Sequence, residues 1–98
     1  MAQYMIDILL PVEPNAEFFS LIPAQRTHIE NLLESGTVMS YSLSLDRSRL
    51  WIHLNARSER NALDIVKAFP LYRHFELSIH PLAFHNHASR SLLKVSLN

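Results

Sequence analysis

The chain has 98 residues, which is one small domain and too short for two. Apolar residues make up 48% and charged residues 18%, the balance of a folded, water-soluble chain rather than a disordered one. One glycine and no cysteine exclude disulfides, thiolate-held metals, a catalytic thiol and a glycine-rich phosphate loop, and nine basic against nine acidic residues give no basic excess for binding nucleic acid.

Residues 1–7 lack a basic leader region, and Asp7 and Pro11 interrupt the apolar stretch that follows. Neither a signal peptide nor a membrane span is expected, so the default compartment is the cytoplasm. Residues 4–10 favour a strand, which Pro11 and Pro14 stop because proline cannot donate to a ladder. Asn15 is a candidate helix N-cap. Phe18, Phe19 and Ile22, then Ile29, Leu32 and Leu33, recur at helical spacing. Pro23 lies within this run and predicts either a kink or a division into a short turn and a main helix. Gly36 suits the left-handed position that ends a helix.

Residues 37–45 alternate, with Met39, Tyr41, Leu43 and Leu45 on one side and Ser40, Ser42 and Ser44 on the other. A polar turn over residues 46–49 leads to a third strand. Leu50, Ile52 and Leu54 lie on one face of it, and Trp51, His53 and Asn55 on the other. Ser58 caps a second helix with an apolar stripe of Ala62, Ile65, Val66 and Phe69. Phe75, Leu77 and Ile79 alternate with Glu76, Ser78 and His80 in a fourth strand that Pro81 closes. The order β-α-β-β-α-β predicts an α+β, ferredoxin-like domain over residues 1–83: a four-stranded antiparallel sheet with both helices on one face. Residues 84–98 form a C-terminal tail, expected at a subunit interface.

The helix-covered face is expected to carry Ile6, Ile8, Met39, Tyr41, Leu43, Ile52 and Leu54. The other face is mixed, with Met5, Leu9 and Trp51 among serines, Asp7 and His53. That mixture predicts a cover, most simply a second copy of the sheet in a homodimer. Charge is also divided: residues 1–46 hold six acids and one base, residues 47–98 eight bases and three acids. The plain reading is two solvated faces, and the sharper one an acidic half packed beside a basic half.

The chain resembles the muconolactone isomerase family. Leu10-Pro11-Val12, Leu33-Glu34-Ser35-Gly36-Thr37, Phe69-Pro70-Leu71-Tyr72 and the His85-containing tail with Ala88-Ser89 carry the resemblance, which covers nearly the whole chain and needs no gap from Gly36 to about His85. It implies a dimeric α+β barrel that assembles into homo-oligomers. It also implies a cofactor-free, metal-free proton shift on a small anionic lactone from aromatic catabolism. The chain departs from the family on the second strand, where Val38, Met39, Ser42 and Leu43 replace bulky aromatic and arginine residues. On the first helix, Gln25 beside Arg26 keeps the base and loses the acid.

A proton shift beside a carbonyl needs a base and a donor for the developing enolate. His53 is the candidate base, with Asp7 on the neighbouring strand to orient it. The plainer alternative is a polar pair buried between two sheets. Arg26 is the candidate anchor for a substrate carboxylate, or else a solvated arginine paired with Glu30. Trp51 and Tyr72 are candidate pocket walls, or core and interface residues. His28 is expected to snorkel at the helix edge and His80 to be a surface histidine. His85 and His87 are expected to be solvated rather than metal ligands. Two classes of function follow: an isomerase-like enzyme using His53, Asp7 and Arg26, or a non-catalytic ligand-binding dimer whose ancestral site has decayed. A cofactor-free monooxygenase is a third. Neither nucleic acid nor membrane is an expected partner.

Overall fold

The structure, a computed structural model, describes residues 1–86. The elements follow the expected order: β1 (Ala2–Leu9), α1 (Ala16–Ser35), β2 (Val38–Leu43), β3 (Arg49–Ala56), α2 (Glu59–Lys67), a 3₁₀ turn (Tyr72–His74) and β4 (Glu76–Pro81). The strands form one antiparallel sheet in the order β2-β3-β1-β4, the ferredoxin-like arrangement. His87 and the rest of the tail lie outside the described residues.

Local chemistry sets the helix ends. Asn15 accepts a hydrogen bond from the Phe18 amide at 2.9 Å, and Ser58 accepts one from the Asn61 amide at 3.1 Å. Gly36 ends α1 at φ 80°, where a side chain is disfavoured, and its N–H donates to the Leu33 carbonyl. Pro23 does not divide α1, which runs as one helix of 20 residues. The proline is exposed, and the Thr27 hydroxyl donates to its carbonyl at 3.2 Å, so the disturbed turn lies on the water-facing side.

Both helices pack on the sheet face that carries Tyr4, Ile6 and Ile8 of β1 and Ile52 and Leu54 of β3. Ile6 pairs with Ile52, and Ile8 with Leu50, so side chains two apart on adjacent strands enter the same core. Ile29 of α1, Ala62 and Val66 of α2, and Phe69 complete it. His28 sets its ring edge-on to Phe69, with centroids 5.4 Å apart. Burying one large aliphatic side chain contributes about 1.5–3 kcal/mol, so the Ile and Leu positions of β1 and β3 dominate.

Strand β2 departs from simple alternation. Val38 pairs with Leu54 but Ser40 pairs with His53, so a bulge absorbs Met39. Val38 is therefore the buried residue, and Met39, expected on the helix side, is 40% exposed, with its sulfur accepting from Asn55 Nδ2. Tyr41 and Leu43 do face the helix side, opposite Ile52 and Leu50, yet both remain exposed because β2 is an edge strand.

The other sheet face holds Met5, Asp7, Leu9, Trp51 and His53. His53 is only 2% exposed in the single chain. The reason is the segment after β4: the Leu82 amide donates to the Gln3 carbonyl, and the His85 ring lies on the His53 ring with centroids 3.9 Å apart. The chain thus covers part of this face itself, while Leu9 and Trp51 stay exposed. Among the described residues no helix is long and apolar enough to cross a membrane.

The bulge yields a direct test. Val38→Ala should cost about 2 kcal/mol by chemical denaturation, as expected for truncating a buried aliphatic, whereas Met39→Ala should change stability by about 0.5 kcal/mol or less. The reverse ranking would restore simple alternation.

Candidate functional site

A cleft of about 530 Å³ opens between α1, the β2 edge and the connection that follows β1. Its size falls in the range of small-molecule sites. One wall is α1, where Phe18, Ile22, Gln25 and Ile29 stand three or four residues apart on one stripe, with Arg26 beside them. The facing wall is Tyr41, Leu43 and Leu50 of the sheet, with Arg47 from the β2–β3 turn. Among the described residues the lining is mostly apolar, contains two arginines and includes no aspartate, glutamate or histidine.

Gln25 joins the cleft to the core. It is buried, and its Oε1 accepts from the Leu71 amide at 3.1 Å. Its Nε2 is buried with no partner among the described residues. A buried amide left unmatched costs about 1–3 kcal/mol. Arg26 makes no ion pair among the described residues, the one with Glu30 included.

The turn carrying Arg47 is closely wired. Asp46 Oδ1 accepts from the Ser48 hydroxyl at 2.7 Å, the Ser48 amide at 3.0 Å and the Ser44 hydroxyl at 2.8 Å. Ser44 Oγ in turn accepts from the amides of Ser48 and Arg49. The Arg47 amide donates to the Ser44 carbonyl at 2.9 Å. This leaves Arg47 at φ 61°, the only non-glycine residue with positive φ among those described. The hydrogen bonds from Ser48 and Ser44 hold the Asp46 carboxyl at about 2, well below its ordinary 3.8.

Of the five residues singled out from sequence, only Arg26 lines the cleft. Tyr72 lies in the 3₁₀ turn and packs against the core. Trp51, His53 and Asp7 stand on the opposite face of the sheet. Asp7 pairs there with Arg49, whose Nη1 donates to both carboxylate oxygens at 2.8 and 3.1 Å, while His53 Nε2 lies 3.3 Å from Gln3 Oε1. The expected Asp7–His53 contact gives way for a geometric reason. Asp7 faces Trp51, so His53 and Arg49 are both diagonal neighbours, and the long guanidinium spans that diagonal. The sheet therefore separates Arg26 from His53 and Asp7.

Arg47 and Tyr41 are the site residues that sequence reading passed over. Tyr41 shares the helix-side parity of Ile52, which could have flagged it, but the left-handed conformation that aims Arg47 has no sequence signature. Among the described residues no cluster of three or more histidines and carboxylates could hold a metal ion.

No protein-family model matches the chain, and no curated protein does. Among solved structures it superposes on a crystal structure of muconolactone isomerase with a TM-score of 0.70, over 88% of this chain and 93% of that chain, at 16% sequence identity. The chain has the fold of muconolactone isomerase. The likeness to muconolactone isomerase covers most of both chains, so it concerns architecture as a whole rather than one shared motif.

The turn is testable by titration. The folded Asp46 carboxyl titrates below its unfolded value, so its stabilising contribution is complete above pH 3.8 and is lost as pH falls toward about 2. Carbon NMR should give an Asp46 midpoint near 2, and Asp46→Ala should speed amide exchange at Ser48 and Arg49. A midpoint at 3.8 would mean that the carboxylate lacks these donors.

Proposed function

We propose that the protein is a muconolactone isomerase-like binding protein for a small ring compound bearing a carboxylate, of the class of acidic lactones and related aromatic-breakdown intermediates. The observation that carries this reading is the cleft between α1 and β2. An apolar lining suits a ring, and the Arg26 guanidinium, without an ion-pair partner among the described residues, suits a carboxylate. Benzoate serves as a minimal probe. It should shift the NMR signals of cleft residues, and Arg26→Met should weaken it by about tenfold, the loss of one charged hydrogen bond at a partly solvated site. Shifts absent from the cleft, or an unchanged affinity in Arg26→Met, would count against the assignment.

The shared fold favours a second reading, a cofactor-free double-bond shift on such a lactone. His53 would take the proton beside the ring carbonyl, the electron pair would move into an enolate, and the proton would return at the far end of the shifted bond. Asp7 and Trp51 would flank that site on the sheet face, apart from Arg26. The binding reading is preferred because the described residues of the cleft lining include no carboxylate or imidazole to act as a base. Muconolactone followed by proton NMR should therefore show no accelerated isomerisation. Turnover that disappears in His53→Ala, with the fold intact, would establish the enzymatic reading instead.

The exposed Leu9 and Trp51 support pairing of two copies through the same sheet face. Light scattering should report twice the 11.3 kDa chain mass, and Trp51→Glu should shift the particle toward the monomer. A single-chain particle at every concentration would defeat the dimer.

A further inference from the structure

We infer that the cleft is built for a ligand with two acidic groups, and that Arg47 is the residue that selects the second. This rests on the binding reading above and adds the class of ligand. Arg49, Arg60 and Arg73 each lie within 4.0 Å of an acid, at 2.8, 3.8 and 3.2 Å. Arg26, Arg47 and Arg57 have no such partner among the described residues, and the first two share one cleft. They approach it from different walls, Arg26 from the helix and Arg47 from the turn. The acid nearest to Arg47 in the chain, Asp46, is engaged by Ser44 and Ser48.

Two like charges around an apolar space repel each other more strongly than they would in open water. A single carboxylate offsets one of them, and a dicarboxylate offsets both. The apolar stretch between the walls suits the carbon framework that joins two acids. The backbone at Arg47 points the same way. A residue with a β-carbon is strained at φ 61°, and glycine would relieve that strain but remove the cation. The hydrogen-bonded turn holds the strained conformation, as is common where a side chain must be presented in one direction.

The test is calorimetric binding of benzoate, isophthalate, terephthalate and adipate to the full chain and to Arg47→Met, Arg47→Gly and Arg60→Met. At least one dicarboxylate should bind about tenfold more tightly than benzoate, a difference of about 1.4 kcal/mol. That ratio should fall to about one in both Arg47 variants and survive in Arg60→Met, which removes an equal charge away from the cleft. Arg47→Gly should also melt at a higher temperature than the parent while losing the discrimination, which a purely structural arginine would not do. Benzoate binding with no preference for any dicarboxylate would overturn the inference and leave the binding reading standing. A preference that persists without Arg47, or falls equally in Arg60→Met, would overturn it as well. Failure of all four probes would overturn both.

Discussion

The pairing of β1 with β3 governs the rest of the molecule. Eight residues of each strand lie opposite one another, from Ala2 with Ala56 to Leu9 with Arg49. Side chains alternate across a sheet, so this register assigns every residue of the two central strands to one face. Ile6, Ile8, Ile52 and Leu54 go toward the helices, and Asp7, Trp51 and His53 go to the other side. A slip of one position would exchange these sets, exposing the isoleucines and burying an aspartate. The separation of the cleft from the His53 face follows from the same register.

Much of the architecture was legible in the sequence because it rests on short-range rules. Alternation identified three of the strands, Asn15 and Ser58 marked helix starts, and Gly36 marked a stop. These are local effects of backbone chemistry that operate wherever the residue stands. Pro23 was harder to read. Its cost depends on which side of the helix it occupies, and on the exposed side α1 continues through it. Met39 departs from the expected face because strict alternation admits no extra residue, whereas the bulge beside it depends on how β2 meets β3.

The site was less legible than the fold, for a related reason. Knowing that β1 and β3 are neighbours puts Asp7 and His53 on one face but not in contact, because the reach of the competing Arg49 decides the pair. The burial of His53 likewise comes from a segment some thirty residues away in the chain, through the His85 ring. Arg26 is a candidate from sequence because a helix arginine suits a carboxylate, and it lines the cleft. Arg47 is not, because its direction comes from a network of serine and aspartate hydrogen bonds acting on one unusual backbone angle. The features that direct the Arg47 side chain at the cleft are tertiary, while those that build its scaffold are local.

The bulge in β2 also bears on how the molecule behaves in a crowded solution. An edge strand with an unbroken row of free amides and carbonyls is a template onto which another chain can zip, the first step toward fibrous aggregates. Met39 interrupts that row near one end of β2, and Pro81, which has no amide proton, lies at the end of β4 on the opposite margin. Each margin of the sheet therefore carries a break in its donor pattern, a local discouragement to strand-by-strand growth that the central strands do not need.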